Sequence, residues 1–458
     1  MMRRRQFLGT SAMATALLGL TRCVRASTSS RVVAPYGPLV RDPEGVLDLP
    51  KAFSYRVLSR TGDRMSDGFR VPGMPDGMAA FGAGDGRVVV IRNHELSLKT
   101  GHLGPFEDNN RYPEALDRSL SYDPGENGAP PQVGGTTTLV YDPRTGRAEK
   151  QFLSLTGTDR NCAGGPMPWG AWITGEESED LTSARGRLHG YCFAVKADPD
   201  SGLQKAVPLK ALGRFRHEAV ALDPRSGILY LTEDKPDCLL YRFIPDRKND
   251  LGSGTLQALA VENAPTAAAP RGADLRNYDP DDAQIPEGAS YPVRWIDLED
   301  IDAPKNDLRY RGYDAGAARF ARGEGIYYSG GALYICCTDG GAGRRGQIYK
   351  LTPDPSRKGP DELQLFLQPE ESDLLTNCDN ICASPGGDLI ICEDLIKKHG
   401  GKRAHLRGVT PDGRIYNLAR NALNKSELAG ATFSPDGKTL FVNIQSPGIT
   451  LAITGPWL

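Results

Sequence analysis

A thiol and a pair of carboxylates lie close together in the segment from Asn161 to Glu177. The segment opens with Asn161-Cys162, continues through two glycines and a short apolar run, and ends in Glu176-Glu177. Thiolates and carboxylates are the ligand types from which proteins build metal sites. An isolated cysteine, however, is more often a small buried hydrophobe. The segment therefore becomes informative only if other parts of the chain supply further ligands.

The same plan recurs along the chain as an apolar strand, a turn and a second apolar strand with a polar end. Pro-x-Gly and Asp-Gly steps between the strands are typical of β-hairpin turns. The second strands end at six positions, and three of the five intervals between them are close to 55 residues, as in blade-like repeats. The six segments are 79–95, 161–177, 222–234, 326–339, 381–394 and 433–443.

Six such hairpins predict an all-β fold, a six-bladed β-propeller with loop insertions. A β-sandwich is the competing fold. Residues 27–458 are expected to form a single catalytic domain. The longest insertion, at about 249–307, is rich in Pro, Asp and Ala and is expected to form a long loop or lid.

Hairpin geometry brings the polar ends together, because the start of the first strand lies beside the end of the second. Acidic residues should therefore gather at one mouth of the propeller and repel one another unless cations neutralise them. Oxygen ligands suit Ca²⁺, whereas a mixture of thiolate and carboxylate suits iron or zinc. For any single pair such as Glu393-Asp394, a solvated turn is the simpler interpretation.

Three cationic or titratable side chains flank these acids. Arg322 lies two residues before Glu324 and so points to the same side of the strand. It is either a counter-ion for the acids or a bidentate grip for an anionic substrate. His94 and His217 are interpreted as hydrogen-bonded supports beside Glu95 and Glu218 rather than as metal ligands.

The N-terminal segment 1–26 reads as a twin-arginine signal peptide. Arg3-Arg4-Arg5-Gln6-Phe7-Leu8 precedes an apolar run from Ser11 to Leu20, and Val24-Arg25-Ala26 offers a cleavage site. The twin-arginine translocation machinery is thus an expected partner, and the protein should be periplasmic or secreted. Cys23 follows Arg22, which fits a lipidation site poorly.

Composition excludes several other classes. A formal net charge of −2 argues against nucleic-acid binding through a basic field. No other run approaches the roughly 18 apolar residues of a membrane span, so no stable membrane anchor is expected. The cysteines beyond Cys162 are interpreted chiefly as buried hydrophobes, with one or two disulfides left open. The protein is expected to be a monomer.

Several of these segments resemble the PhoX alkaline phosphatases, and the resemblance runs from about Asn93 to Trp457. It is carried by Asn161–Glu177, Phe215–Val220, Phe320–Gly325, Ser426–Gly430 and Phe441–Gly448. The family is exported by the twin-arginine route, folds as a propeller and holds a pair of iron ions with several calcium ions at one mouth. The resemblance implies that Cys162 bridges the irons, that Glu218 and Glu324 are shared ligands, and that Arg322 holds the phosphate. Further calcium or iron ligands are expected at Glu95, Glu177, Glu233, Asp379 and Glu393.

The implied activity is hydrolysis of small phosphomonoesters. Arg322, Cys162 and Glu324 form the expected catalytic set, and a metal-bound oxide or hydroxide attacks phosphorus in line. One alternative is a calcium-dependent propeller hydrolase acting on lactones or organophosphates, which has no use for Cys162. The other is a non-catalytic propeller in which calcium only stabilises the fold.

Overall fold

The computed structural model describes residues 31–125, 128–179, 187–267, 269–356, 359–370, 374–395 and 402–458. The predicted signal peptide, 1–26, lies outside these ranges, as does Cys23. Within the described ranges, no helix is long and apolar enough to cross a membrane. The chain is dominated by short strands that are joined by Gly-rich and Asp-rich turns, which is the pattern the hairpin signals predicted.

Three N-terminal strands precede the hairpin repeats: β1 (Leu39–Val40), β2 (Leu47–Pro50) and β3 (Ser54–Arg60). The first half of the repeats contains β4 (Pro75–Gly82), β5 (Val88–His94), β6 (Gly134–Asp142), β7 (Arg147–Thr158), β8 (Asn161–Met167), β9 (Ala171–Glu176), β10 (Cys192–Lys196), β11 (His217–Leu222), β12 (Leu229–Glu233), β13 (Leu240–Pro245), β14 (Gly254–Val261) and β15 (Ser290–Asp297).

The second half contains β16 (Gly323–Ser329), β17 (Ala332–Cys337), β18 (Gln347–Thr352), β19 (Asp361–Leu367), β20 (Cys378–Ala383), β21 (Leu389–Glu393), β22 (His405–Val409), β23 (Ile415–Asn421), β24 (Leu428–Phe433), β25 (Thr439–Ile444) and β26 (Ile449–Thr454). In the part of the chain that the structure describes, one α-helix, α1, spans Leu308–Asp314, and short 3₁₀ segments span Leu98–Leu103, Arg118–Leu120 and Lys210–Leu212.

The described strands form five antiparallel sheets. Their orders are β4-β5-β6-β7, β8-β9-β10, β11-β12-β13-β14-β15-β19-β18-β17-β16, β1-β2-β23-β22-β21-β20 and β24-β25-β26-β3. The all-β prediction is confirmed, and the sheets have a propeller-like arrangement. They do not form six separate sheets, because β15 pairs with both β14 and β19 and joins two four-stranded meanders into one sheet.

Residues 249–307, predicted as an insertion, supply part of that connection. They contain β14 and β15, which pair with each other along Gln257–Val261 and Val293–Asp297. Arg214 fixes the far end of the segment, since its guanidinium donates to the carbonyl oxygens of Asp302 and Ala303. The segment is therefore not a loop throughout, and as a lid it stays a prediction.

The first strands of the six hairpins pack side by side in a ring. β4 contacts β8, and the series continues through β11, β16, β20 and β24, which contacts β4 again. Close approach requires small residues here: a Cβ on Gly77 would lie 2.7 Å from the Cα atom of Ala163. Gly430 has φ +67°, and a Cβ there would lie 2.2 Å from the carbonyl oxygen of Asp76.

The ring is closed by strands from opposite ends of the chain. β3 pairs along its length with β26, so the N-terminal strand completes the sheet that the C-terminal strands begin. Phe441 in β25 packs edge-on against Tyr141 in β6, with ring centroids 5.2 Å apart, in the apolar layer between the last and first sheets. Each fully buried aromatic or aliphatic side chain in such a layer contributes about 1.5–3 kcal/mol.

Candidate metal centre

Five of the six first strands carry a β-bulge at the same place, just after the first residue pair of the hairpin. The register shifts after Pro75↔His94, Asn161↔Glu176, His217↔Glu233, Gly323↔Cys337 and Cys378↔Glu393. A bulge re-aims the side chain of its extra residue. The residues placed there are Asp76, Cys162, Glu218, Glu324 and Asp379. In β24 the register shift comes one residue pair later, after Ala429↔Asn443, and no acid or thiol stands there.

These five residues meet at one end of the ring, which we call the mouth. Together with Glu95 and Glu177, they offer ligand atoms that form three groups, and within each group the atoms all lie within 4.8 Å of one another. The groups are Asp76, Glu95 and Cys162; Cys162, Glu177 and Glu218; and Glu218, Glu324 and Asp379. Cys162 and Glu218 each belong to two groups, so the three groups form one continuous cluster.

Glu218 provides the clearest electrostatic evidence for a cation. Its side chain is fully buried, and neither carboxylate oxygen has a hydrogen-bond partner among the described residues. Burial, and then the charges of Glu177 and Asp379, raise the pKa of Glu218 well above its ordinary value. An unpartnered buried carboxylate costs several kcal/mol. A cation between these carboxylates would remove that cost.

The Cys162 thiol also lies among these carboxylates. Burial, and then the carboxylates of Asp76 and Glu218, raise the pKa of Cys162 well above its ordinary range. Without a cation the sulfur therefore stays protonated, whereas metal coordination deprotonates a thiol outright. The donor set of one sulfur and several carboxylate oxygens fits a transition metal such as iron or zinc beside harder cations.

Three arginines occupy one half of the mouth, which we call the arginine half. Arg160, Arg216 and Arg322 immediately precede β8, β11 and β16.

Each of these arginines binds carboxylates of the mouth. Arg160 donates to Glu95 and to Glu177, the latter over 2.5 Å. Arg216 donates to Glu177 and lies 3.6 Å from Asp234. Arg322 donates to Asp234 and Glu324 over 2.8 and 2.6 Å. Acids and arginines therefore alternate from Glu95 to Glu324.

The other half of the mouth, the acidic half, has a different composition. The residues that precede β20, β24 and β4 are Asn377, Glu427 and Met74. The acids here are Asp76, Asp379, Asp394 and Glu427, whose charges act on one another. Burial and then Glu95 raise the pKa of Asp76 to about 8. Among the described residues, Gln445 is the only one whose side chain donates to the carboxylate of Asp76, over 2.8 Å.

The structure brings most of the predicted ligands together. Cys162, Glu95, Glu177, Glu218, Glu324 and Asp379 all belong to the three groups. Arg322, predicted as either a counter-ion or an anion grip, binds two of the carboxylates through Nε and Nη2. Of the two histidines, His94 binds the carbonyl oxygen of Gly73 and the hydroxyl of Thr137. His217 binds the carbonyl oxygen of Gly213.

Glu233 and Glu393 are not brought to the cluster. Tyr241 donates to Glu233 over 2.8 Å, and Arg309 lies 3.7 Å from it. Arg407 donates to Glu393 over 2.8 Å, and burial is outweighed by Arg407 and His405, so the pKa of Glu393 is lowered. Both acids are the last residues of second strands and point away from the mouth. Alternation of side chains instead directs Asp234 and Asp394, the next residues, towards it.

Glu176 occupies the same outward position in its hairpin. It accepts a hydrogen bond from His189 over 2.7 Å and two more from the backbone of Gly190 and Tyr191. Burial lowers the pKa of His189, but the charge of Glu176 and hydrogen bonds to Asp123 and Glu176 outweigh it and raise that pKa to about 10. The outward acids therefore pair with protein cations outside the mouth: Glu176 with His189, Glu233 with Arg309 and Glu393 with Arg407.

Sequence reasoning missed Asp76, Asp234, Asp394 and Glu427 as site residues. Asp76 lies in Met74-Pro75-Asp76-Gly77, which has the composition of a turn, although the strand begins at Pro75. The other cysteines do not join the site. Among the described residues all eight cysteines are free, and every one except Cys162 is buried.

A closed ring of hairpins with a thiol and inward-facing carboxylates at one mouth has the architecture of a metal-dependent hydrolase. The sequence profile of the family described as "Alkaline phosphatase PhoX" matches residues 34–141 and 126–448. The chain therefore belongs to the PhoX alkaline phosphatase family. It is a metal-dependent phosphomonoesterase, and the calcium-dependent lactonase and non-catalytic alternatives are not favoured.

One solved structure supports this fold. Pseudomonas fluorescens PhoX in complex with vanadate, a transition state analogue, matches with a TM-score of 0.64 and 18% identity, over 91% of this chain and 97% of that one. A gluconolactonase from Xanthomonas campestris matches with a TM-score of 0.39 and 12% identity, over 93% and 99%. The second match is too distant to support an argument. No curated protein sequence matches the chain significantly.

Proposed function

We propose that this protein is an exported alkaline phosphatase that uses iron and calcium at the mouth to release phosphate from phosphomonoesters. The observation that carries the proposal is the fully buried carboxylate of Glu218, which lacks a partner among the described residues and shares two ligand groups with Cys162 and Asp379. A cluster of this kind is stable only around cations.

We infer that the ring has six blades. Six hairpins pack in a closed series through their first strands, and the nine-stranded sheet divides at β15 into two meanders of four strands each. In this interpretation β15 bridges two neighbouring blades. A crystal structure in which the two meanders form one continuous blade would contradict this count of six.

The iron ions would be held where sulfur is available. Cys162 and Glu218 would be shared ligands, because each belongs to two ligand groups, with Glu324 and Asp379 beside Glu218. Calcium would occupy the acidic half, where Asp76, Asp394 and Glu427 offer only oxygen atoms, with Glu95 beside Asp76. The inward positions of Asp234 and Asp394 replace Glu233 and Glu393 in this assignment.

When bound, the metal ions supply positive charge for the phosphoryl oxygens and lower the pKa of water. The protein positions the ester. Asp234 and Glu324 hold the Nε and Nη2 groups of Arg322, and no described carboxylate takes Nη1. Nη1 is therefore available to donate to a phosphoryl oxygen, and the two acids fix the plane of the guanidinium.

The test combines metal analysis with turnover. Wild-type protein should contain iron and calcium and should hydrolyse para-nitrophenyl phosphate at alkaline pH. Cys162→Ala should lose iron and at least a thousandfold in kcat/KM, because a metal ion contributes several kcal/mol of charge stabilisation. Cys192→Ala, a buried cysteine in the same sheet, should keep both.

Two outcomes would overturn the proposal. One is iron-loaded wild-type protein that cleaves no phosphate ester, and the other is Cys162→Ala with full metal content and activity. Calcium without iron, together with lactone hydrolysis, would instead support the alternative hydrolase. Export is tested separately: Arg4→Lys together with Arg5→Lys should retain the protein in the cytoplasm, and unchanged export would contradict a twin-arginine signal at 1–26.

A further inference from the structure

The three arginines of the mouth occupy one repeated position, although a single arginine would suffice to hold a phosphoryl group. Arg160, Arg216 and Arg322 each stand immediately before the first strand of a hairpin, in three consecutive repeats. Arg160 and Arg322 share a left-handed backbone, with φ of 52° and 51°. The repeat therefore presents three guanidinium groups at the same level of the ring.

Shared carboxylates hold the three groups next to one another. Arg216 and Arg322 meet at the same oxygen, Oδ2 of Asp234, at 3.6 and 3.1 Å from their Nη2 atoms. Arg160 and Arg216 meet at the two oxygens of Glu177. The acids thus fix Arg216 between the other two, so whatever anion Arg322 holds has Arg216 beside it.

The guanidinium groups remain accessible. The side chains of Arg160, Arg216 and Arg322 are 36%, 24% and 22% exposed, whereas the carboxylates of Glu177 and Asp234 that bind them are 5% exposed. The Nε group of Arg216 is buried and has no hydrogen-bond partner among the described residues. Arg216 therefore keeps a donor that its pairing with Glu177 and Asp234 does not use.

We propose that Arg216, with Arg160 beside it, forms a second anion subsite that selects phosphomonoesters whose alcohol carries a further negative group, a carboxylate or a second phosphate, near the ester. This inference rests on the proposed function, with the phosphoryl group at Arg322. Arg216 then determines specificity. Its contact is present in both ground and transition states, so its loss should raise KM more than it lowers kcat.

The test uses three phosphomonoesters with two-carbon alcohols that differ in charge: phosphoglycolate, 2-hydroxyethyl phosphate and phosphoethanolamine. The wild-type enzyme should prefer phosphoglycolate. In Arg216→Gln, the ratio of kcat/KM for phosphoglycolate to that for 2-hydroxyethyl phosphate should fall about tenfold to a hundredfold, the range expected for a lost charge-assisted hydrogen bond. Comparing ratios cancels differences in leaving-group reactivity and in metal content.

Matched variants separate specificity from structure. Arg216→Lys should recover part of the ratio, since it keeps the charge but loses the planar fork. Arg225→Gln removes a partly exposed arginine at the opposite end of the same hairpin, where it pairs with Asp223, and should leave the ratio unchanged. If Arg216→Gln does not fold, Arg160→Gln should lower the ratio in the same direction by a smaller factor.

A binding measurement keeps the inference independent of turnover. Calorimetry should show wild-type protein binding phosphonoacetate more tightly than ethylphosphonate, and Arg216→Gln should abolish the difference. Equal ratios in wild-type protein and Arg216→Gln, with equal affinities for the two phosphonates, would overturn the inference while leaving the phosphatase intact. Absence of turnover for all three esters, with the phosphonate preference retained, would instead count against the proposed function alone.

Discussion

In the arginine half of the mouth, guanidinium groups alternate with carboxylates from Glu95 to Glu324, whereas in the acidic half the carboxylates of Asp76, Asp379, Asp394 and Glu427 face one another. Both halves are built from the same hairpin position and the same bulge. In the first, the chain itself neutralises the acids. In the second, no described arginine or lysine forms an ion pair with these four acids. The two halves should therefore respond differently to cations.

The pKa values express the same difference. Burial opposes ionisation of Asp234, but Arg322 outweighs it and lowers the pKa of Asp234 to about 2. In the acidic half, burial and then Asp76 and Asp394 raise the pKa of Asp379 well above its ordinary value. Asp234 and Asp379 are both buried, yet they differ in charge state. The reason is the residue before the first strand: Arg322 precedes β16, whereas Asn377 precedes β20. The arginine half is organised by the protein, and the acidic half depends on bound cations.

Removing the metals should have the largest effect. Chelation should abolish phosphatase activity and make stability strongly dependent on pH. The pKa of Asp76 is raised from 3.8 to about 8 in the folded state, so its favourable contribution is present below pH 4 and is lost as pH rises through 8. Thermal unfolding of chelated protein, followed by circular dichroism, should therefore show a Tm that falls between pH 4 and pH 8.

The metal-loaded protein is the control for that measurement. With cations bound, the acids are neutralised at every pH in this range, so its Tm should change much less. Parallel Tm curves for chelated and loaded protein would show that the acidic half does not depend on cations. Readdition of calcium alone should restore most of the Tm but not the turnover, since the proposed iron ligands would remain empty.

Two isosteric substitutions, one in each half, should have opposite effects on the chelated protein at pH 8. Asp234→Asn removes the shared partner of Arg216 and Arg322 and should destabilise it by about 3 kcal/mol or more, as when a buried ion pair is broken. Asp379→Asn removes one of several mutually repelling carboxylates and should stabilise it by about 1 kcal/mol. Urea unfolding of both variants measures the difference, and effects of the same sign would contradict the comparison.

Much of this arrangement could be predicted from the sequence. The hairpin turns and their spacing indicated the propeller-like fold, and the polar strand ends indicated the mouth. Asp76 could not be recognised because Pro75-Asp76-Gly77 resembles a turn, and only the packing of Gly77 against Ala163 shows that the segment is a ring strand. The alternation of arginines and acids was also hidden, since it joins residues from four repeats that are distant in sequence.

The choice between neighbouring acids is where the sequence prediction and the geometry differ most. Glu233-Asp234 and Glu393-Asp394 each offer two candidates, and the longer side chain was chosen in both. In a strand, however, successive side chains point to opposite faces, so only one of each pair reaches the mouth. Which one depends on the bulge in the partner strand, and a bulge leaves no reliable signal in a single sequence.

The alternation of side chains along the second strands leads to the prediction with the smallest expected effect on the metal site. Glu393→Gln should leave iron content, calcium content and kcat/KM unchanged within about twofold, because Glu393 points away from the mouth and binds Arg407. The substitution should instead lower the free energy of unfolding by roughly 2–3 kcal/mol, because Arg407 is left beside a neutral group.

The contrasting variant is Asp394→Asn, one residue later, which should release calcium with a smaller loss of stability in the chelated form. Plasma emission analysis of both variants measures the contrast. Loss of metal from Glu393→Gln but not from Asp394→Asn would reverse the assignment of inward and outward acids, and with it the boundary between the two halves of the mouth.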